Sequence, residues 1–276
     1  MWIARSKLAL RQELKTTHSG IVLVPTMGAL HDGHASLIKA AKQQAGQDGT
    51  VLVSIFVNPI QFDKPADLRN YPRTEEADLA ICEQFGADGV FVPDEGEMYS
   101  PDRSITIIES KLSAHLCGAT RPGHFDGVCT VVLKLFQLTR CDAAIFGKKD
   151  FQQLAIVRRM IRDLDLEVEI IAHPTIRESD GLAMSSRNRR LTREQRADAP
   201  RIHQALLAGA KETEAGKMVK TTRELIEQST LARIDYLTLV DAQTMEPVEN
   251  LNLPVVLACA VFYGEVRLID HITLPL

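Results

Sequence analysis

Two histidines flank a glycine in the decapeptide Pro25-Thr26-Met27-Gly28-Ala29-Leu30-His31-Asp32-Gly33-His34. Imidazole donates a hydrogen bond to a phosphate oxygen and, when protonated, offsets charge on a leaving diphosphate. The decapeptide follows an apolar run at 21–24 and leads into a helical pattern carrying Leu37, Ile38, Ala40 and Ala41. Strand, glycine turn and helix start make an anion site, where backbone N–H groups and the helix dipole meet a phosphate. The pattern therefore predicts chemistry at a nucleotide phosphate. Zinc ligation is the weaker functional alternative, because no third ligand stands at a useful spacing. Chance placement on a helix face is the non-functional one.

Four more segments bear on that chemistry. Asn58 and Gln61, in Phe56-Val57-Asn58-Pro59-Ile60-Gln61-Phe62, follow the second apolar run and so belong at the same sheet edge. Their amides suit a hydroxyl or carboxylate; the alternative is an Asn-Pro turn with solvated amides. Arg121 and His124, in Arg121-Pro122-Gly123-His124, either contact an anion and the pocket wall or belong to a structural turn. Gly147-Lys148-Lys149-Asp150 repeats strand, glycine and helix with Asp150 as N-cap, giving a second anion- or ribose-facing loop or a solvated charge pair. Gln153 falls in the first turn that follows. Ser185, Ser186 and Arg187, after the glycine turn at Gly181, can hold a triphosphate, with Arg187 opposing charge on the departing diphosphate. The absence of G-x-x-x-x-G-K-[ST], G-x-G-x-x-G and G-x-S-x-G excludes P-loop, dinucleotide-binding and hydrolase-elbow readings.

The elements that must position these residues are legible as alternation. Apolar runs at 21–24, 51–57, 89–92, 143–147 and 168–172 alternate with helical patterns near 34–45, 74–86, 126–139 and 150–164. That order predicts βαβ units and a Rossmann-like parallel sheet covered on both faces, with 104–109 as an additional strand. After a polar loop at 177–190, Thr192 reads as the N-cap of a long helix to about 214. A second helix is expected at 221–229 and strands at 235–240, 255–262 and 266–269. The expected organisation is an α/β domain over 1–176 and a smaller C-terminal α+β lid domain over 177–276. A formal net charge of −4 gives no reason to expect nucleic acid or anionic lipid as a partner. Cys82, Cys117, Cys129, Cys141 and Cys259 form no C-x-x-C pair, which predicts reduced thiols in a cytoplasmic protein. Residues 1–15 lack the apolar core of a signal peptide, and no apolar run approaches the ~18 residues of a membrane span.

The H-x-G-H spacing resembles that of nucleotidyltransferase-like α/β enzymes. PTMGALHDGH, FVNPIQF, YPRT, RPGHFDGV, GKKDFQQL and DGLAMSSRN, in this order over nearly the whole chain, resemble the pantothenate synthetase (pantoate–β-alanine ligase, AMP-forming) family. The resemblance implies a two-step, ATP-dependent condensation in the biosynthesis of pantothenate and coenzyme A. The (R)-pantoate carboxylate attacks the α-phosphate of ATP; the amine of β-alanine then displaces AMP from pantoyl adenylate. It also implies that His34, His31, Lys149 and Arg187 are catalytic, His34 being the proton donor. ATP would meet Met27, Gly28, Ala29, Leu30, His31, Asp32, Gly33, His34, Gly147, Lys148, Lys149, Asp150, Ile176, Met184, Ser185, Ser186 and Arg187. Pantoate would meet Gln61 and Gln153, with Asn58 supporting that pocket, and β-alanine would meet Gln61. A homodimer through the N-terminal domain is implied, with Mg²⁺ arriving on ATP and no metal site in the protein.

Departures from the family pattern are few: Asp32 in place of glutamate, Ala77 interrupting the acidic run at 75–78, and a different ending at 264–271. Two other functions fit the residues less well: an adenylyltransferase that stops at transfer to a phosphate acceptor, and an idle nucleotide-binding regulator. The amides at 58–61 and the extra C-terminal domain disfavour the first; the presence of His31, His34, Lys149 and Arg187 disfavours the second.

Overall fold

Strands β1 (Trp2–Ala4), β2 (Ile21–Thr26), β3 (Thr50–Ile55), β4 (Gly89–Phe91), β5 (Ala143–Gly147) and β6 (Glu169–His173) form one parallel sheet in the order β1-β4-β3-β2-β5-β6. The computed structural model describes residues 1–17, 19–252 and 254–274. Successive strands step away from β2 first on one side and then on the other, so the order reverses between β2 and β5. In open α/β sheets ligands bind outside the carboxyl ends of the strands at that reversal. Alternate strand residues point to opposite faces. Val22, Val24, Val51, Val53 and Ile55 thus share a core with Ile38 and Ala41 of helix Asp32–Ala45. Helix His124–Thr139 also packs against β2, and helix Lys7–Lys15 packs on helix His124–Thr139. Among the described residues, no helix is long and apolar enough to cross a membrane.

The chain divides into two compact units. The first holds Met1–Glu109, Pro122–Lys148 and Ile156–Pro174; the second holds Ser110–Arg121, Lys149–Ala155 and Thr175–Leu276. In the second, β7 (Ala232–Asp241), β8 (Val255–Tyr263) and β9 (Val266–Leu274) form an antiparallel sheet in that order. Leu237, Leu239, Val255, Leu257, Cys259, Val261, Val266 and Leu268 pack on Ile202, Leu206, Met218 and Ile226 of helices Arg201–Gly209 and Ala215–Glu227. The intervening residues Val256, Ala258 and Ala260 are buried as well, so central strand β8 is covered on both faces. The short helix Leu116–Thr120 packs against β8 and lies in segment 110–121, which explains why that segment belongs to the C-terminal unit.

Five local expectations change. Residues 104–109 form no strand, because among the described residues no neighbouring strand pairs with them. The long helix from Thr192 is instead Arg193–Asp198 and Arg201–Gly209, interrupted at Pro200, which has no N–H to continue the ladder. Thr192 does cap the first piece, in a reciprocal box with Gln195. The following helix begins at Ala215, six residues before its expected start. Strand Trp2–Ala4 and helix Lys7–Lys15 were not anticipated in the mixed N-terminal sequence.

Candidate active site

The parallel strands bring their carboxyl ends to one edge. After β2, Gly28 (φ 78°) and Ala29 (φ 50°) take the left-handed conformation. A Cβ at Gly28 would stand 3.0 Å from Asp78 Oδ2 and 3.2 Å from Ile55 Cγ2, so glycine serves both the turn and the close approach. Asp78, only 1% exposed, braces this turn: Oδ2 accepts the Ala29 N–H at 2.9 Å, and Oδ1 accepts the Leu30 N–H at 2.7 Å and the Thr74 hydroxyl at 3.0 Å. Sequence reading missed this anchor; its signal was Thr74 four residues before an aspartate on the buried face of helix Glu75–Gln84.

His31 caps helix Asp32–Ala45. Its Nδ1 accepts the Gly33 N–H at 3.1 Å, and its own N–H donates to His34 Nδ1 at 3.3 Å. Each Nδ1 being an acceptor, the proton of each neutral ring lies on Nε2. The ring centroids are 4.1 Å apart, so both imidazoles occupy one place at the sheet edge. Open backbone amides, expected of this loop, are largely closed: the Ala29, Leu30, His31 and Gly33 N–H groups all bond within the chain. The loop's donor chemistry therefore resides in its imidazoles.

Asn58 and Gln61 are 1% and 7% exposed, which eliminates the solvated-turn reading. Asn58 Nδ2 donates to Gln61 Oε1 at 2.8 Å and to the Gly127 carbonyl at 3.1 Å, while Oδ1 accepts the Tyr99 hydroxyl at 2.8 Å. Gln61 Nε2 donates to Met27 Sδ at 3.0 Å, tying the amide cluster to the histidine loop. Buried His124 meets the Gln61 carbonyl through Nδ1 at 2.7 Å, so it holds the wall of this cluster. A cavity of about 300 Å³ shares Met27 and Gly28 and is lined further by Phe56, Val57, Pro59 and Arg73. His31, His34 and Gln61 are not among its walls.

Gly147 and Lys148 belong to the first unit, and the second carries Lys149, Asp150, Gln153, Ile176, Met184, Ser185, Ser186 and Arg187. Lys149 Nζ lies 3.7 Å from Asp150 Oδ2. Of the adjacent glutamines, Gln152 is buried and saturated: Oε1 accepts the Cys117 N–H at 2.9 Å, and Nε2 donates to the Leu112 and His115 carbonyls, each at 2.7 Å. Gln153 is half-buried, and its side chain makes no hydrogen bond among the described residues. Ser185 Oγ accepts the Arg187 N–H at 3.2 Å and starts the turn Ser186–Arg190; Ser186 is buried. Met184 N–H donates to the Ile176 carbonyl at 3.0 Å. Arg177 grips buried Asp270 with two bonds of 2.7 and 2.9 Å. Next to Asp270, His271 packs on Phe151 with ring centroids 5.2 Å apart, and burial holds its imidazole below the usual histidine range. No group of three His, Cys, Asp or Glu residues gathers to hold a metal ion among the described residues. In the acidic run at 75–78, Asp78 is committed to the loop and Glu75 pairs with Arg5 at 2.5 Å.

A parallel sheet with paired imidazoles capping a helix at its carboxyl edge, beside a buried amide cluster, defines an α/β enzyme built to work on anionic groups. The pantoate-beta-alanine ligase family profile matches residues 3–273. The chain is 55% identical over 261 residues to the pantothenate synthetase of Akkermansia muciniphila, covering 93% of each. It is 47% identical over 283 residues to that of Corynebacterium glutamicum, covering 99% of this chain and all of that one. Among solved structures, it is similar to the pantothenate synthetase of Thermus thermophilus (39% identity, TM-score 0.93, 99% of both chains). It is also similar to the pantoate-beta-alanine ligase of Francisella tularensis complexed with beta-gamma ATP and beta-alanine (33% identity, TM-score 0.83, 99% of this chain and 97% of that one). The chain belongs to the pantoate-beta-alanine ligase family, and it is a ligase.

Proposed function

We propose that this enzyme condenses (R)-pantoate with β-alanine, using ATP, to give pantothenate, AMP and diphosphate. A pantoate carboxylate oxygen attacks the α-phosphorus, and the bond to the bridging oxygen of diphosphate breaks. The β-alanine amine then attacks the acyl carbon of pantoyl adenylate, loses a proton, and AMP leaves. The observation that carries this reading is the imidazole pair, whose Nδ1 atoms are both acceptors and whose Nε2 protons suit phosphate oxygens. Met27, four residues before His31 in the same loop, accepts a hydrogen bond from Gln61 of the buried amide cluster.

In this reading His34 and His31 stabilise charge developing on the phosphates. Lys149 and Arg187 supply cations, and Gly147, Lys148, Asp150, Ile176, Met184, Ser185 and Ser186 contribute to nucleotide binding. Gln61 and Gln153 bind pantoate, Gln61 also meets β-alanine, and Asn58 supports the pocket. The functional boundary is taken at 176/177. ATP enters as its magnesium complex, the metal keeping mainly phosphate and water ligands. Five free, buried cysteines fit a reducing, cytoplasmic setting.

We also infer a homodimer through the N-terminal region, with 104–109 as the segment that would join the two copies. Ile105 and Ile108 are 75% and 72% exposed. The alternate Ile107 and Glu109 N–H groups bond to Thr130 and Asp126 of helix His124–Thr139, which leaves the other edge to Thr106 and Ile108.

The deciding assay supplies ATP and pantoate, with and without β-alanine, and follows AMP and diphosphate. AMP release requiring both acids is the expected result. AMP formed without regard to β-alanine, or none at all, overturns the ligase assignment.

A further inference from the structure

We propose that Tyr99 is a positioning residue for pantoate: its hydroxyl fixes the Asn58 amide, and Asn58 fixes the Gln61 amide with its nitrogen end toward the histidine loop. The proposal rests on the pantoate-binding role given above to Gln61. An amide has two faces of opposite hydrogen-bonding sense, and turning it over exchanges donor for acceptor. Asn58 cannot turn over. Its Nδ2 lies 3.1 Å from the Gly127 carbonyl, which only accepts, and its Oδ1 lies 2.8 Å from the Tyr99 hydroxyl. The second Nδ2 hydrogen then goes to Gln61, 2.8 Å away, and demands an oxygen there. Gln61 accordingly places Oε1 on Asn58 and Nε2 toward Met27 Sδ. A carboxylate or hydroxyl oxygen of a small hydroxy acid is recognised by that nitrogen end.

The first member of the relay is itself held firmly. Tyr99 is 8% exposed, with the Phe56 ring centroid 6.0 Å away and with Arg103 and Lys134 over its face at 5.4 and 5.8 Å. Burial pushes the phenol well above its ordinary range, so the hydroxyl keeps its proton at any working pH. No sequence motif points to Tyr99, since its partner Asn58 lies 41 positions away.

The test is steady-state kinetics of Tyr99→Phe, alone and combined with Gln61→Ala. Losing one buried hydrogen bond is expected to raise KM for pantoate about 5- to 10-fold and leave KM for ATP within about twofold. In the Gln61→Ala background the same change should have almost no further effect, because the amide it orients is gone. Asn58→Asp reads the relay from the other end: it keeps the Tyr99 bond but has no hydrogen for Gln61, and a larger rise in pantoate KM is expected. The proposal is overturned if Tyr99→Phe leaves pantoate KM unchanged, raises KM for both substrates equally, or acts equally with and without Gln61. The dependence of AMP release on both acids in the unmodified enzyme judges the ligase reading separately.

Discussion

Replacing Gly127 with alanine inserts a methyl group where helix His124–Thr139 meets the turn Pro59–Gln61. Its Cβ would stand 2.5 Å from the Ile60 carbonyl oxygen and 2.7 Å from Gln61 N and Cα. Ordinary contact begins near 3.4 Å, so helix and turn must part by about 0.7–0.9 Å in a close-packed interior. The opposing atoms are backbone, and no rotamer change relieves them. Two stability effects compete: alanine gains about 1 kcal/mol over glycine in a helix interior, and overpacking costs about 1–3 kcal/mol. The net change is a loss of about 0–2 kcal/mol. The effect on function is larger, because the displaced residue is Gln61, and a 1 Å misplacement costs on the order of 10²-fold. Steady-state kinetics and thermal unfolding should show pantoate KM raised about 10- to 100-fold, ATP KM within about twofold, and Tm lower by a few degrees. A higher Tm with unchanged pantoate KM would refute the reasoning, since the alanine would then be acting through helix propensity alone.

His34→Ala should slow single-turnover adenylation by ~10²-fold or more while ATP affinity changes little; near-normal adenylation would remove His34 from the mechanism. The adjacent glutamines should separate cleanly. Gln152→Ala takes the partner from the buried Cys117 N–H and one donor each from the Leu112 and His115 carbonyls, and is expected to cost about 1–3 kcal/mol in denaturant unfolding without raising pantoate KM. Gln153→Ala should do the reverse, raising pantoate KM at unchanged stability; matching phenotypes would count against the distinction. Burial, aided by Arg177 and Lys149 against Asp270 and Asp150, holds His271 below the ordinary histidine value. The unfolded chain therefore takes up a proton first as pH falls, so stability from this residue is complete above about pH 6.5 and declines below it. Tm should fall between about pH 7.5 and 5.5, and less so in His271→Gln; equal slopes would exclude this group. Sedimentation should find Ile105→Asp/Ile108→Asp monomeric if 104–109 joins two copies, and an unaltered mass would reject that surface.

The strands that carry the candidate site were readable because each is an apolar, β-branched run closed by polar or turn residues, as in 21–24 and 143–147. The helix read near 34–45 followed from the same local grammar, although it begins two residues earlier, at Asp32, with His31 as its cap. What escaped depends on partners distant in the chain. Trp2–Ala4 becomes a strand only by pairing with Gly89–Phe91. Residues 104–109 have strand composition, yet no strand lies beside them within the described residues. Asp78 read only as a member of the acidic run at 75–78; the Ala29 and Leu30 amides that account for its burial lie 49 and 48 positions away. Gln152 and Gln153 are indistinguishable by type; only the carbonyls of segment 110–121 separate them.

That segment gives biosynthesis a direction. Cys117 meets Tyr236, 119 positions later, and Arg267, 150 positions later. A ribosome has therefore released both early pieces of the C-terminal unit well before making the sheet that shelters them. A chain cut short near residue 176 would retain Leu116 and Cys117, both buried in the intact protein, without the strand β8 against which their helix packs. Severing the two halves at that point should yield a sticky fragment, whereas a graft of the C-terminal half has to bring residues 110–121 and 149–155 along.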